Sequence, residues 1–365
     1  MPLIDRWPYK PHPDYTKLLA ALRRQGDPAY VPFLELFADP EIIAAVVGGQ
    51  VTHKPEQIVY RPALERAIEQ KVQFWHRLGY DAIWQGASLQ LKFNKFETED
   101  TATLPRDRRQ WMSEGQGPIT NWEDFERYPW PTSADADLYA IEHMARCLPE
   151  GMGTMALISG ALEPVTWLMG YQTLALALYD QPDLVAALFE KIWDIYVPLA
   201  QTMAQMDRVI ALWMGDDMGF RSGTLVSPNH LRQYVFPYQK KIAAIAHGQG
   251  KPFLLHSCGN LEAVMEDLIE EVGIDAKHSF EDAIQPVECF IERYGKRIAV
   301  IGGVDVDLLA RGNQAEVRTR TRQILEVCAP SRAYILGSGN SIANYVQLEN
   351  FLAMLDEGWR YNQGR

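Results

Sequence analysis

Lys251-Pro252-Phe253-Leu254-Leu255-His256-Ser257-Cys258-Gly259-Asn260 is the stretch on which the fold turns. A short apolar run, Phe253-Leu254-Leu255, stops at a His-x-Cys pair and a Gly-Asn turn. Apolar runs of this length, bounded by turn residues, are the pattern of buried strands. Side chains two apart on a strand share a face. His256 and Cys258 therefore point the same way at a strand's carboxyl end. Imidazole nitrogen and thiolate sulfur together suit zinc. Taken alone, the pair also suits a plain strand end, with Cys258 as a small core residue.

The same punctuation recurs on both sides. Residues 30–37, 81–85, 154–160, 209–214, 275–280, 298–303 and 333–338 are further strand candidates, which with 251–258 makes eight. Helical spacing occupies 15–25, 40–48, 63–79, 134–148, 164–206 with a break near Asp180-Gln181-Pro182, and about 346–359. Ser227-Pro228 opens another helix, with Ser227 as its N-cap. Strands alternating with helices in this number imply a (β/α)8 TIM barrel, with a doubly wound sheet as the alternative. The expected organisation is one barrel domain over residues 1–365, with an N-terminal arm and helix over 1–26. A long insertion, 87–132, follows the second strand; it carries Arg106, Arg108 and Arg109 and ends in Tyr128-Pro129-Trp130-Pro131. Such a segment is either a lid over the site or a surface excursion.

At 365 residues and 47% apolar composition, the chain can build a large core. Its formal net charge of -12 argues against a nucleic-acid binder, which would carry a basic stripe. The four cysteines, Cys147, Cys258, Cys289 and Cys328, form no CxxC pair, so no disulfide framework is expected. Residues 1–14 lack the apolar segment of a signal peptide, and no run is long enough to span a membrane. A cytoplasmic protein is the expectation.

Polar residues recur just past the strand candidates: Glu35, Gln85, Glu163, Asp216, Asp217, His256, Cys258, Glu281, Asp305, Ser338 and Asn340. In a barrel these ends converge on one mouth. Of the adjacent Asp216 and Asp217, only one is expected to face the pocket, and Asp217 is the preferred one. Glu35 follows an apolar run and would be costly to bury unpaired, which points to the pocket. His278 lies inside a strand and reads as core or barrel-facing.

Several phrases together resemble the uroporphyrinogen decarboxylase superfamily. They are Gly215-Asp216-Asp217-Met218-Gly219, Ser227-Pro228, Val235-Phe236-Pro237-Tyr238, His256-Ser257-Cys258-Gly259-Asn260 and Ile301-Gly302-Gly303-Val304-Asp305. Gly337-Ser338-Gly339-Asn340-Ser341-Ile342 with Glu349-Asn350 completes the set. The resemblance runs over about residues 15–360 and is densest after 150. It implies a (β/α)8 barrel and one of two activities: cofactor-free decarboxylation of uroporphyrinogen, or zinc-dependent methyl transfer to or from a corrinoid carried on another protein.

The decarboxylases carry Met-Arg-Gln-Ala-Gly-Arg-Tyr near the N-terminus, where this chain has Val31-Pro32-Phe33-Leu34-Glu35-Leu36-Phe37. Their Asp near the end of the second strand is replaced by Gln85-Gly86-Ala87-Ser88. The methyltransferase branch is the closer one. Its thiol-using members hold zinc with a His-x-Cys pair, matched by His256 and Cys258, and a second Cys, where this chain has Ser338. A hydroxyl is a poorer zinc ligand than a thiolate. Either Glu35, Asp216, Asp217 or Glu281 completes the shell, or the site is weak or metal-free.

The resemblance therefore implies transfer of a methyl group from a small O- or N-methyl donor to the Co(I) corrinoid (cobalamin) of a partner protein, with zinc assisting departure of the leaving group. On this reading His256 and Cys258 are the metal ligands. Glu35, Asp217 and Glu281 are the candidate catalytic carboxylates, and Asp305, Ser338 and Asn340 the substrate or corrin contacts. Two rivals stand beside it. One is a cofactor-free decarboxylase of another acid, with Arg61, Arg106 or Arg221 as the carboxylate anchor. The other is a non-catalytic barrel that binds a tetrapyrrole or a metal.

Overall fold

The computed structural model describes residues 3–49, 60–102, 104, 109–112 and 115–364. Arg106 and Arg108, named above, lie outside the described residues. Seven parallel strands form one curled sheet in the order Ala82–Gly86, Gly153–Ser159, Val209–Gly215, Phe253–His256, Ala276–His278, Ala299–Ile301 and Tyr334–Ile335. Each matches a strand expected from the sequence. The eighth stave is residues 30–38. It joins the last strand through the Phe33–Leu336 bridge, with Leu34 N donating to Leu336 O and Leu336 N to Pro32 O, both at 2.9 Å. A proline inside this segment removes a ladder donor, which explains a bridge in place of a regular strand.

The alternation of side chains sorts the core into two layers. Leu254, Trp213, Met155, Ala276, Ala299 and Ile335 face the barrel axis. Phe253, Leu255, Leu212, Met214 and Val300 face the surrounding helices. Leu18, Ala21 and Leu22 of the N-terminal helix Tyr15–Leu22 join the axial layer. That helix, expected over 15–25, packs on the last two strands of the sheet.

Two helical expectations are revised. The helix expected over 134–148 begins at Tyr139, because Asp135 accepts from Thr132 N and Oγ1 and holds a short turn instead. The long helical stretch breaks at the expected Gln181-Pro182 and also at Gly170, whose positive φ of 80° ends Leu162–Met169. Ser227 caps its helix as expected, its Oγ accepting from His230 N. Within the insertion, Lys95–Thr98 and Arg109–Met112 pair as an antiparallel hairpin, and Trp122–Arg127 is a short helix. No described helix is long and apolar enough to cross a membrane.

Candidate metal centre and active site

Register builds the site. Ser159, Gly215, His256, His278, Ile301 and Ile335 stand in one row across six strands at the carboxyl end of the sheet. His256 and His278 are thus direct neighbours, and their Nδ1 atoms lie 2.7 Å apart. One nitrogen must donate and the other accept. A proton on Nδ1 of His256 leaves its Nε2 lone pair free, and that nitrogen lies 3.5 Å from Asp217 Oδ1 and 3.5 Å from Cys258 Sγ.

These three ligand atoms all lie within 4.8 Å of one another. Zinc bonded at about 2.0–2.3 Å in a tetrahedron separates its ligand atoms by about 3.3–3.7 Å, so the set fits zinc with a position left open. Burial lowers the pKa of His256, more than the nearby Asp217 raises it, so the imidazole is neutral and available as a ligand. Burial and Asp217 push the Cys258 thiol well up, so without a cation the sulfur keeps its proton. Ser279 Oγ at 3.5 Å and Asn340 Nδ2 at 3.2 Å donate to that sulfur.

The turn after the strand is shaped for this geometry. Gly259 has φ 86°, and a Cβ there would lie 2.1 Å from the Gly219 carbonyl carbon. That contact brings the loop after Gly215 against the loop after His256. Cys258 N donates to Asp217 Oδ1 at 2.8 Å, and Met218 N donates to Ser257 Oγ at 3.1 Å.

The adjacent aspartates have different positions. Asp216 is fully buried and turned toward the helix Leu162–Met169, accepting from Ala161 N, Glu163 N and Gln239 Nε2. Burial raises its pKa to about 6 against those hydrogen bonds. Asp217 joins His256 and Cys258. Glu163, at the start of that helix, lies close to Asp217; burial and the two aspartates raise its pKa. Glu163 also lines a cavity of about 280 Å³ at the ends of the first three strands of the sheet, with Trp84, Gln85, Leu157, Trp167 and Tyr196. Glu163 was among the strand-end polar residues but was given no role; its place depends on the helix turn that follows Gly160.

The remaining candidates fall elsewhere around the mouth. Glu35 is 3% exposed and accepts from Ser338 N at 2.7 Å and Ser338 Oγ at 2.6 Å. Burial raises its pKa to about 8 despite both bonds. Ser338 thus faces Glu35, and Asn340 is the residue of its loop that reaches Cys258. Asp305 accepts from Asp307 N as a helix N-cap and from Asp282 N across the neighbouring loop. Glu281 lines a second cavity of about 290 Å³ with Lys277, Ser279, Asn260 and Arg293. Lys277 carries no signal in the sequence beyond a cation in a strand. Its Nζ donates to Ser279 O at 2.6 Å and lies over the Phe280 ring, and burial lowers its pKa to about 8. Ser279 holds a positive φ of 87°, a costly conformation of the kind that clusters at functional sites.

A parallel barrel that gathers a buried His256 with half-buried Cys258 and Asp217 at its carboxyl mouth is a (β/α)8 protein whose candidate site lies at the usual face. The chain belongs to the uroporphyrinogen decarboxylase (URO-D) family, whose profile matches residues 64–361. Among solved structures it is similar to a methyltransferase from Methanosarcina mazei, with 17% identity and a TM-score of 0.68 over 95% of this chain and 98% of that one. At that identity the likeness carries the fold alone. No curated protein matches the chain.

Proposed function

We propose that this protein is a methyltransferase that passes a methyl group from an O- or N-methyl donor to the Co(I) corrinoid of a partner protein. The observation that carries the reading is the convergence of Asp217 Oδ1, His256 Nε2 and Cys258 Sγ within 4.8 Å at the barrel mouth. The family and the fold likeness to a methyltransferase support it. Zinc held by these three residues would supply Lewis acidity to the donor's leaving atom.

The chain's own groups do the rest. His278 holds the His256 ring in the tautomer that frees Nε2. Ser279 and Asn340 stabilise negative charge on the Cys258 sulfur, and Lys277 adds a nearby cation. Glu163, whose pKa burial raises, stands at the end of the 280 Å³ cavity near Asp217, where a leaving oxygen or nitrogen would need a proton. Glu35, Ser338 and Asp305 fix the loops around the mouth, and Glu281 faces the second cavity. Phe220, 58% exposed on the loop after Gly215, offers an apolar contact at the rim for the corrinoid protein.

Freshly purified protein should hold about one zinc per chain, and Cys258→Ala should lose it together with methylation of Co(I) cobalamin. Freshly purified protein without zinc, or metal-stripped wild type as active as the zinc-loaded protein, would defeat the metal assignment. Carbon dioxide release without any corrinoid would replace the reading with a decarboxylase.

A further inference from the structure

The strand Ala276–His278 breaks the pattern of its layer. Its middle residue, Lys277, stands in register with Leu255 on one side and Val300 on the other. The row continues through Met214 to Ile158 and through Val300 to Tyr334. Those five side chains are buried in the layer that faces the helices. In this one strand the same position holds a cation, and it is only 4% exposed. Its Nζ donates to two backbone carbonyls, Ser279 O at 2.6 Å and His278 O at 3.4 Å. It also lies 4.4 Å from the Phe280 ring centroid and 5.7 Å from that of Phe290. None of these partners carries a charge. Asp217, Glu281 and the Cys258 sulfur act on it from further away, and no carboxylate among the described residues forms an ion pair with it. With a pKa of about 8 the amine is still largely protonated at neutral pH. Buried charges in proteins are normally paired.

Lys277 lines the cavity of about 290 Å³ between the turn 259–265 and the helix Val287–Tyr294. That cavity shares no lining residue with the one that Glu163 lines. We propose that it is a binding site for an organic monocarboxylate, its carboxylate on Lys277 and its short apolar body among Leu261, Met265 and Phe290. The site is separate from the methyl-transfer reading and stands whether or not that reading holds.

Charge and lining together select this class. One buried cation balances one negative charge. The other cation of the cavity, Arg293, is 56% exposed and already paired with Glu262. Glu262 and the exposed Glu281 also line the cavity and repel a second negative charge, so phosphate and dicarboxylates fit poorly. Asn260 Oδ1 accepts from Glu262 N at 3.0 Å, which leaves the Asn260 amide NH2 as a second donor to a carboxylate. The wall of Leu261, Met265, Ile284 and Phe290 offers an inorganic ion nothing, whereas it removes a hydrocarbon body from water. Ser279 lines the cavity and donates to Cys258 Sγ, so a carboxylate bound here must be told apart from one bound to a metal.

The test is calorimetry on the full chain with hexanoate, hexanamide and inorganic phosphate. Hexanoate is expected to bind saturably. Hexanamide, with the same body and no charge, should bind about tenfold or more weakly, and phosphate should give no saturable heat. Lys277→Met should weaken hexanoate by about tenfold or more. Ile284→Trp, which puts an indole into the cavity, should weaken it with the lysine intact. Protein stripped of metal by a chelator should bind hexanoate as untreated protein does. Circular dichroism shows which variants fold; if Lys277→Met does not, the amide comparison and Ile284→Trp decide. The proposal is overturned if hexanoate does not bind, if hexanamide binds as tightly, or if phosphate is preferred. It is equally overturned if stripping the metal abolishes binding, or if the folded variants bind hexanoate as wild type does.

Discussion

Two regions of this molecule assemble a histidine, a cysteine and a carboxylate at nearly the same spacing. At the barrel mouth, His256 Nε2 lies 3.5 Å from both Cys258 Sγ and Asp217 Oδ1. On the outer helical layer, His143 Nε2 lies 3.3 Å from Cys147 Sγ and 3.9 Å from Glu69 Oε1. Distances alone do not separate them; what holds the ligands does. His256 is 8% exposed, is locked to His278 by a side-chain hydrogen bond, and follows a strand whose neighbours are fixed by register. His143 and Cys147 sit four apart on one helix, and the Glu69 side chain from the next helix is 61% exposed. An exposed carboxylate loses side-chain entropy if it is held still, and water screens what it gains. The mouth holds its three side chains on strand ends fixed by register, whereas the helix face brings its three together by i,i+4 spacing and one exposed carboxylate.

The comparison is sharpened most by the buried side of the mouth. Glu35 titrates near 8 in the fold because burial disfavours its charged form, against about 4.3 in an unfolded chain. Between those values the folded state keeps a proton that the unfolded state has released. Stability from this group is therefore complete below about pH 4 and falls as pH rises to about 8, by at most tenfold in the folding constant per pH unit. Glu35→Gln retains an acceptor for one Ser338 donor and can donate to the Ser338 hydroxyl. Urea unfolding from pH 4 to pH 9 should show the wild-type decline and a much flatter profile for the variant. Parallel profiles would mean that Glu35 is charged in the fold.

A smaller effect tests the bond that separates the two histidines. His278→Phe keeps a ring of similar size but leaves His256 Nδ1 without its partner. Loss of such a supporting contact typically costs about 10–100-fold in metal affinity. Competition with a chromophoric chelator should read that loss, with circular dichroism unchanged. An affinity equal to wild type would show that the neighbouring histidine is packing only.

The same contrast explains how far the sequence could be read. Seven of the eight staves were legible because buried parallel strands are short apolar runs between turn residues. The eighth, 30–37, was also read as a strand, although Pro32 thins its ladder to the Phe33–Leu336 bridge. His256, Cys258 and Asp217 were legible as residues at strand ends. The role of His278 was not, because a strand reveals its own face but not the register of its neighbour. Only the His256–His278 pairing turns a core-like histidine into the hydrogen-bond partner of His256. The pairing of Glu35 with Ser338 spans 303 positions and has no local signature. Glu163 reads as one more polar residue after a strand until the helix turn after Gly160 aims it into the cavity. A Cβ on Gly160 would lie 2.1 Å from Asp216 Cγ, so that turn depends on a glycine there.

The smallest expected effect is on the helix face, and it is the sharpest way to break the comparison. If spacing alone made a site, His143→Ala would remove metal as Cys258→Ala does. His143 stacks on Tyr139 with ring centroids 5.7 Å apart, so its replacement loses a partly buried contact. A change of that kind usually costs no more than about 1 kcal/mol. Zinc content should stay at its wild-type value in His143→Ala and in Cys147→Ala. Wild-type protein titrated with Co(II) should show one thiolate-to-metal charge-transfer band, which persists in Cys147→Ala and disappears in Cys258→Ala. Two bands in the wild type, or a loss of zinc with Cys147, would make the helix face a second metal site. The difference between the regions would then lie in affinity and not in kind.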